Sequence, residues 1–562
     1  MKGDPHRLQA KIWPLLICLL GFGLLVFRLD GASLWADETR TLEWVQRLAQ
    51  GGFASLTDET VVHRLSHPPL YFLCLGVWMT LAGDSEFSLR FLSVVFGVLS
   101  IAMVYPLGAR IVSRRVGLTA MTLMALSPFL IMYSRMVRLY SLELLLCLVS
   151  CWFLLRLLEC PDSARTWLAY VISSALAVYT EYLAFFVLAA HAVLAVCQIK
   201  HRRRFALRLL GGQLVVLLIF APWIPYMLRL AAELEGASDA FTGMNSIINW
   251  VLSVVHPFFA WIVGETLYPW NPVAVLGVLL ATWLAARGIL VGRNASANRA
   301  VEKAQPKQVL NPPAPRDWLQ SPWHSVKYSD GAQVPSVILF ILLPLVLTIV
   351  TNRCMLSEKS FLDVANKALF CTPFMYLLIG RGLHTFARRE WRLALLVGLA
   401  IPLVLSLANY YSAREFHNPT QALPTRAMAH EIVQQAGPGD VFVSDATVGF
   451  YHYAYKEDPE AIHFFGSDPL SAINYIEKHQ ASKVWMVLLC RAVETESRAT
   501  VELVPWLLSQ GYSVDWSQGY APLDRTYGRL QELILRKPAC EFKVIVSRYS
   551  RPHQGLAEAK QR

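Results

Sequence analysis

Charge is what this sequence has least of. Asp, Glu, Lys and Arg together make up 16% of its 562 residues, where soluble domains carry about 25%. A chain so poor in charge and 55% hydrophobic, with 17 Trp, is not patterned as a soluble enzyme. Its ten cysteines show no C-x-x-C and no Cys/His spacing, which excludes a sequence-legible zinc site. Cys18, Cys74, Cys147, Cys151, Cys197 and Cys371 fall in apolar runs and read as small packing residues. Cys490 and Cys540 can pair only if the C-terminal region lies in an oxidising compartment. That region has no G-x-G-x-x-G, so it carries no dinucleotide fingerprint. No small-residue cleavage site follows the apolar stretch 12–29, which therefore reads as a retained first span rather than a signal peptide. No internal repeat is visible.

What is present is a series of apolar runs of about 20 residues, the length a helix needs to cross a bilayer. The expected class is a multi-spanning α-helical membrane protein with eleven spans, at 12–29, 88–109, 116–134, 139–158, 166–180, 182–199, 205–228, 272–291, 335–352, 367–385 and 393–410. The apolar segment 68–83 has only about 15 residues, the range of interfacial or re-entrant helices. If it does not cross and the N-tail lies inside, the inside segments are that tail, 110–115, 156–165, 200–208, 287–334 and 381–392. Together they hold 24 Lys and Arg, as the positive-inside rule asks. A crossing at 68–83 with the N-tail inside puts 21 of these outside. A twelve-span arrangement with the N-tail outside also satisfies most of the rule, at the expense of Lys2, Arg7 and Lys11. The shortness of 68–83 favours eleven. The net charge of +11 is thus explained by topology, with no nucleic-acid partner. On this arrangement the first outer loop 30–87, residues 230–271 and the C-terminal region share the outer face.

Residues 292–334 are polar and aperiodic and read as a cytoplasmic linker, partly disordered. Asn294-Ala295-Ser296 matches a glycosylation acceptor but lies on the wrong side. Residues 411–550 change to the composition of a soluble domain. Helices are expected at 427–435, 469–479 and 496–510, and strands at 441–443, 483–489, 530–536 and 541–547. That alternation reads as a small extracytoplasmic α/β domain, with a disordered tail over 551–562.

The informative residues crowd into the first outer loop. Asp37-Glu38 follows Trp35 and opens an amphipathic stretch, with Leu42, Val45, Leu48 and Ala49 on one helix face. Two readings stand side by side. Acidic residues in a first turn complement the helix dipole; a carboxylate at a bilayer surface also serves as a general base or anchors a divalent cation. His67-Pro68-Pro69 reads as a helix start, because proline is tolerated in the first turn. Arg64 nearby is suited to meet a phosphate.

Taken together, these motifs resemble the integral-membrane glycosyltransferases of the GT-C fold. The similar families are the dolichyl-phosphate-mannose–protein mannosyltransferases and the bacterial aminoarabinose transferases for lipid A. The resemblance covers residues 1–410 and rests on Trp35, Asp37, Glu38 and Arg40, and on His67-Pro68-Pro69-Leu70-Tyr71. It continues through Gly83–Phe87 with Arg90, Tyr105–Arg110, Ser127-Pro128, Tyr133-Ser134, Arg138–Leu142 and Tyr179–Tyr182. It implies a sugar donor on a polyprenyl or dolichyl phosphate and a hexosyl or pentosyl transfer to a glycan, lipid or protein acceptor. The implied setting is the outer face of a bacterial inner membrane. Asp37, with Glu38, would carry catalysis by inverting displacement. Arg40, Arg64, His67, Tyr71, Arg138, Tyr140, Glu181 and Lys367 would bind substrate, and a divalent cation at Asp37 and Glu181 stays open.

The leaving group is a lipid phosphate, so cations must stabilise its charge. Arg138, Arg353, Lys359 and Lys367 are the candidates, although Arg138 and Lys367 serve equally as snorkelling anchors. The sequence also departs from the family. Met136 stands where many relatives carry a second acid, and Glu181 where they often have a histidine. The loop 352–366 keeps little of the pattern. Two other readings remain: a transporter or flippase of lipid-linked sugars, and a scaffold with a degenerate site. A transporter calls for ionisable residues at mid-span depth. Here Glu143 and Arg156 lie near span ends and His191 is the clearest interior case.

Overall fold

The computed structural model describes residues 5–51, 67–233, 246–302, 334–354, 362–437, 439–444, 450, 452–453, 462–465, 469–490, 499–521 and 543–551. The chain divides into two compact units. The first comprises Met1–Phe27, Gly52–Ala237 and Trp250–Ala408; the second comprises Arg28–Gly51, Ser238–Asn249 and Asn409–Arg562.

The first unit is built of helices. Glu86–Ile111, Tyr140–Glu159, Arg203–Leu228, Pro272–Leu290, Pro335–Asn352 and Arg389–Tyr411 are each long and apolar enough to cross a bilayer. They coincide with six of the expected spans. The span expected at 116–134 is a pair of helices, Arg114–Ala125 and Pro128–Ser134, bent by 60°. The bend falls where Pro128 cannot continue the preceding helix and the Ser127 hydroxyl caps the next by accepting from Leu130 N. Ile12–Val26, Ala184–Gln198 and Leu369–Leu383 are shorter apolar helices, and Ala164–Thr180 fills the place expected at 166–180.

Leu70–Ala82 has 13 residues. At about 1.5 Å per residue it reaches about 20 Å, short of a hydrocarbon core of about 30 Å. It buries Tyr71, Phe72 and Leu75. One helix was not expected. Ser246–Val263 occupies much of the stretch read as outer loop; Asn249, His256 and Pro257 interrupt its apolar run and disguise it. Pro272–Glu302 also runs eleven residues past the expected span end, into the segment read as linker. The rest of that linker, the tail after Arg551 and the proposed partner Cys540 lie outside the described residues.

Two glycines fix how these helices meet. Gly288 and Gly382 let the helices Pro272–Glu302 and Thr372–Leu383 touch backbone to backbone, with Leu284 O and Leu378 O where a Cβ would sit. Gly264, at φ +84°, ends the Ser246–Val263 helix, and a Cβ there would lie 2.8 Å from both Pro128 Cβ and Ser406 Oγ. That left-handed residue turns the chain so that Glu265 enters the interior.

The second unit holds a mixed five-stranded sheet in the order β2-β1-β3-β5-β4. Its strands are β1 Asp440–Ser444, β2 Ile462–Phe465, β3 Lys483–Cys490, β4 Ser513–Tyr520 and β5 Lys543–Ser550. β1 runs parallel to β2 and β3, and β5 is antiparallel to β3 and β4. On one face Val441, Val443, Val484 and Met486 pack against Ala472 and Ile476 of the helix Pro469–His479 and against Leu503 and Leu507. On the other, Trp485 stacks on Phe442 at 5.7 Å and donates its indole N–H to buried Asp440. β1, β3, β5 and the helices Thr425–Val433 and Pro469–His479 meet the expectations closely. β2 and β4 were not expected, and 530–536 lies outside the described residues.

The same unit takes in the first acidic segment. The Arg426 guanidinium donates to the carbonyls of Asp30 and Ala32 and its backbone N–H donates to Ser33 Oγ, while Leu34 N donates to Tyr453 Oη at 2.7 Å.

Gly264→Ala is expected to lower stability by more than about 1 kcal/mol, because it adds both φ strain and a steric clash. Thermal unfolding of the detergent-solubilised protein measures it. An unchanged midpoint would mean that the turn does not constrain Glu265.

Candidate active site

Three helix ends in the first unit bring three polar side chains together. His67 lies just before the buried Pro68-Pro69 that starts Leu70–Ala82. Arg138 lies in the turn between Pro128–Ser134 and Tyr140–Glu159. Glu181 caps the C-terminus of Ala164–Thr180 in an extended conformation. His67 Nδ1 is 2.6 Å from Glu181 Oε2, and His67 Nε2 is 3.0 Å from Arg138 Nη2.

Arginine only donates, so His67 Nε2 accepts from Arg138, and Nδ1 must carry the proton given to Glu181. The imidazole is therefore held in one orientation between a carboxylate and a guanidinium. Burial pushes the Glu181 carboxyl up, but His67, Arg138 and Lys367 outweigh it and hold the group below the usual carboxylate range. It stays ionised at any pH near neutral, and its charge is lost only as pH falls below the ordinary glutamate value.

Neighbouring residues buttress this triad. Tyr71 Oη is 2.8 Å from Ser93 Oγ, which donates to the Arg138 carbonyl at 3.3 Å. The Arg138 guanidinium lies 5.6 Å from the Tyr140 ring centre. Asn366 donates to Tyr140 Oη at 3.5 Å, and the adjacent Lys367 donates to Asn352 Oδ1 at 2.9 Å. The structure thus gathers His67, Tyr71, Arg138, Tyr140, Glu181 and Lys367, six of the residues singled out in the sequence.

Beside them lies a group that the sequence did not reveal. Tyr133 packs on Tyr140 at 5.1 Å and donates to Glu265 Oε2 at 2.9 Å. Glu265 is 3% exposed, and its Oε1 has no hydrogen-bond partner among the described residues. Burial pushes its carboxyl up to about 8, against the Tyr133 hydrogen bond, with Asp363 adding to the rise. The available signal was an acid immediately after an apolar run and a glycine.

In the second unit, Asp37 and Glu38 occupy the first turn of Ala36–Gly51. Asp37 Oδ1 is 3.4 Å from Arg40 Nη1, and the Asp37 side chain is 28% exposed. Glu38 is buried and accepts from Trp35 N at 3.2 Å, reaching back across the helix start as half of a capping box. Arg64 and Lys359 lie outside the described residues, as does the side chain of Arg353. His191 is wholly buried, 3.1 Å from Tyr170 Oη and 3.4 Å from Cys151 Sγ. Among the described residues no three His, Cys, Asp or Glu gather as a metal site, and Glu181 is already engaged by His67.

Residues 66–226 match the family model for dolichyl-phosphate-mannose-protein mannosyltransferase. A 223-residue stretch is 24% identical to undecaprenyl phosphate-alpha-4-amino-4-deoxy-L-arabinose arabinosyl transferase 2 of Proteus mirabilis (strain HI4320). That match takes in 38% of this chain and 40% of the relative, so it spans less than half the relative's length. The fold likeness is wider. Crystal structures of ArnT from Cupriavidus metallidurans superpose with a TM-score of 0.53 bound to undecaprenyl phosphate and 0.54 in the apo state, each at 12% identity. They cover 95% and 96% of this chain and 98% of ArnT. The chain is a multi-span membrane protein of the GT-C fold.

Glu265 gives a pH signature. A carboxyl raised in the folded state stabilises fully below its unfolded value, and that stability is lost as pH rises towards about 8. Glu265→Gln is therefore expected to gain stability over wild type between pH 5 and 8, by up to about 1.4 kcal/mol per pH unit, and to level off above. Paired melting curves across that range test it; a pH-independent difference would show that Glu265 does not change protonation there.

Proposed function

We propose that this GT-C-fold chain is a glycosyltransferase that moves a sugar from a polyprenyl phosphate to an acceptor at the outer face of the membrane. The observation that carries this reading is the convergence of His67, Arg138, Glu181 and Lys367 in the helical unit. Cations held in a low-dielectric surrounding suit a phosphate that gains charge as its sugar leaves. The bound undecaprenyl phosphate in the ArnT structure supports a donor of the same class here.

In the proposed reaction Asp37 takes the proton of the acceptor hydroxyl. The freed oxygen pair forms a bond to the anomeric carbon, and the bond from that carbon to the lipid-phosphate oxygen breaks. The phosphate leaves with the electron pair onto Arg138 and Lys367. One displacement by one base inverts the anomeric centre. Glu181 acts through His67, fixing its tautomer and the set of Arg138. The membrane catalytic domain is assigned to residues 1–410, with first outer loop 30–87 and cytoplasmic linker 292–334. Residues 411–550 are assigned to an extracytoplasmic α/β domain in a bacterial inner-membrane protein.

Asp37→Asn is expected to lower turnover from a polyprenyl-phosphate sugar by about 10²–10⁴-fold with donor binding little changed. Wild-type turnover in that variant removes Asp37 from the chemistry. Glu181→Gln is expected to raise the KM for donor more than it lowers kcat. An unchanged KM would make Glu181 a bystander.

A further inference from the structure

At the opposite end of the helical unit lies a cavity of about 200 Å³. Three helices connect it with the polar cluster. Tyr140–Glu159 begins at Arg138 and ends at the cavity; Ala184–Gln198 begins beside Glu181 and ends there; Val334–Cys354 starts at the cavity and reaches Asn352. At about 1.5 Å per residue, the length of Tyr140–Glu159 separates the two by about 28 Å. The cavity therefore opens at the other membrane face.

Its lining is mixed in chemistry. Leu154, Leu155, Leu194 and Phe340 make part of it apolar. Arg110, Glu159, Gln198 and Arg202 make part of it polar. Arg110 pairs with Glu159 at 2.8 Å and lies 4.4 Å above the Trp152 ring, so their charges offset each other. Arg202 adds a further cation, positioned by its hydrogen bond to Leu158 O at 2.9 Å. The loops at this end are strongly basic: 110–115, 156–165 and 200–208 hold three, two and five Lys and Arg, against Glu159 and Asp162 alone. Arg114, Arg115, Lys200 and Arg203 are all exposed.

We infer that this cavity binds an anionic glycerophospholipid from the adjoining leaflet, with its phosphate at Arg202 and an acyl chain against the leucines and Phe340. Basic pockets between membrane helices attract anionic headgroups. An inorganic anion would leave the apolar walls uncovered, whereas a hydrocarbon chain fills them. A neutral lipid would leave the excess positive charge unmatched. This site is independent of the transfer chemistry and uses none of its residues.

Native mass spectrometry of the full chain, delipidated and offered phosphatidylglycerol or phosphatidylcholine at equal concentration, tests it. The expected result is at least fivefold greater retention of phosphatidylglycerol. Arg202→Glu is expected to lose that preference. Leu154→Trp, which fills the cavity while keeping the charge, is expected to lose retention of the lipid itself. Thermal melting identifies variants that remain folded. Equal retention of the two lipids overturns the proposal, as does an undiminished preference in both folded variants. Displacement by millimolar inorganic phosphate would also overturn it, by reducing the site to a simple anion contact.

Discussion

The hydrogen bond between Glu181 and His67, 2.6 Å long and 114 residues apart in sequence, organises the polar end of the helical unit. A buried carboxylate is costly unless charge and hydrogen bonds meet it. His67 answers on one side, and through its other nitrogen it holds Arg138. Remove the carboxylate and the imidazole loses the partner that selects its tautomer, so Arg138 loses its acceptor in turn. Tyr71, Ser93 and Tyr140 then have less to pack around. The cluster is a chain of dependencies that begins with one carboxylate.

The same constraint separates the ends of the helices. Within apolar spans, ionisable side chains are sparse, and His191 is satisfied by Tyr170 and Cys151. Charge gathers where helices start and stop. At one end it forms the His67–Glu181–Arg138 group with Lys367. At the other, Arg110 and Glu159 pair in the lining of a cavity that Arg202 and several leucines also line. Both place charge beside apolar helices, which is what the lipid-borne ligands proposed above would require.

Much of this was legible in the sequence because helix periodicity and span length are local signals. Six spans, the helix Pro469–His479 and strand Lys483–Cys490 could be read from a few turns of chain. So could the short helix after His67-Pro68-Pro69. Glu265 escaped because the apolar run before it is interrupted by His256-Pro257 in the sequence and because Tyr133, its partner, lies 132 residues away. β4 escaped because Ser513–Tyr520 is largely exposed and bulged between Val514 and Trp516, so no alternating apolar face marks it. The inclusion of Arg28–Gly51 in the second unit had no local signal either. It rests on Arg426 and Tyr453, about 400 residues downstream.

The central claim is that Arg138, set by His67 and Glu181, meets the phosphate of a lipid-borne donor. Titration of undecaprenyl phosphate into detergent-purified wild type and Arg138→Met, with binding followed by calorimetry, tests it directly. Loss of a charge-assisted hydrogen bond worth about 1.5–3 kcal/mol is expected to weaken binding by at least about tenfold in a variant that still folds. Equal affinity in the two proteins would contradict the account.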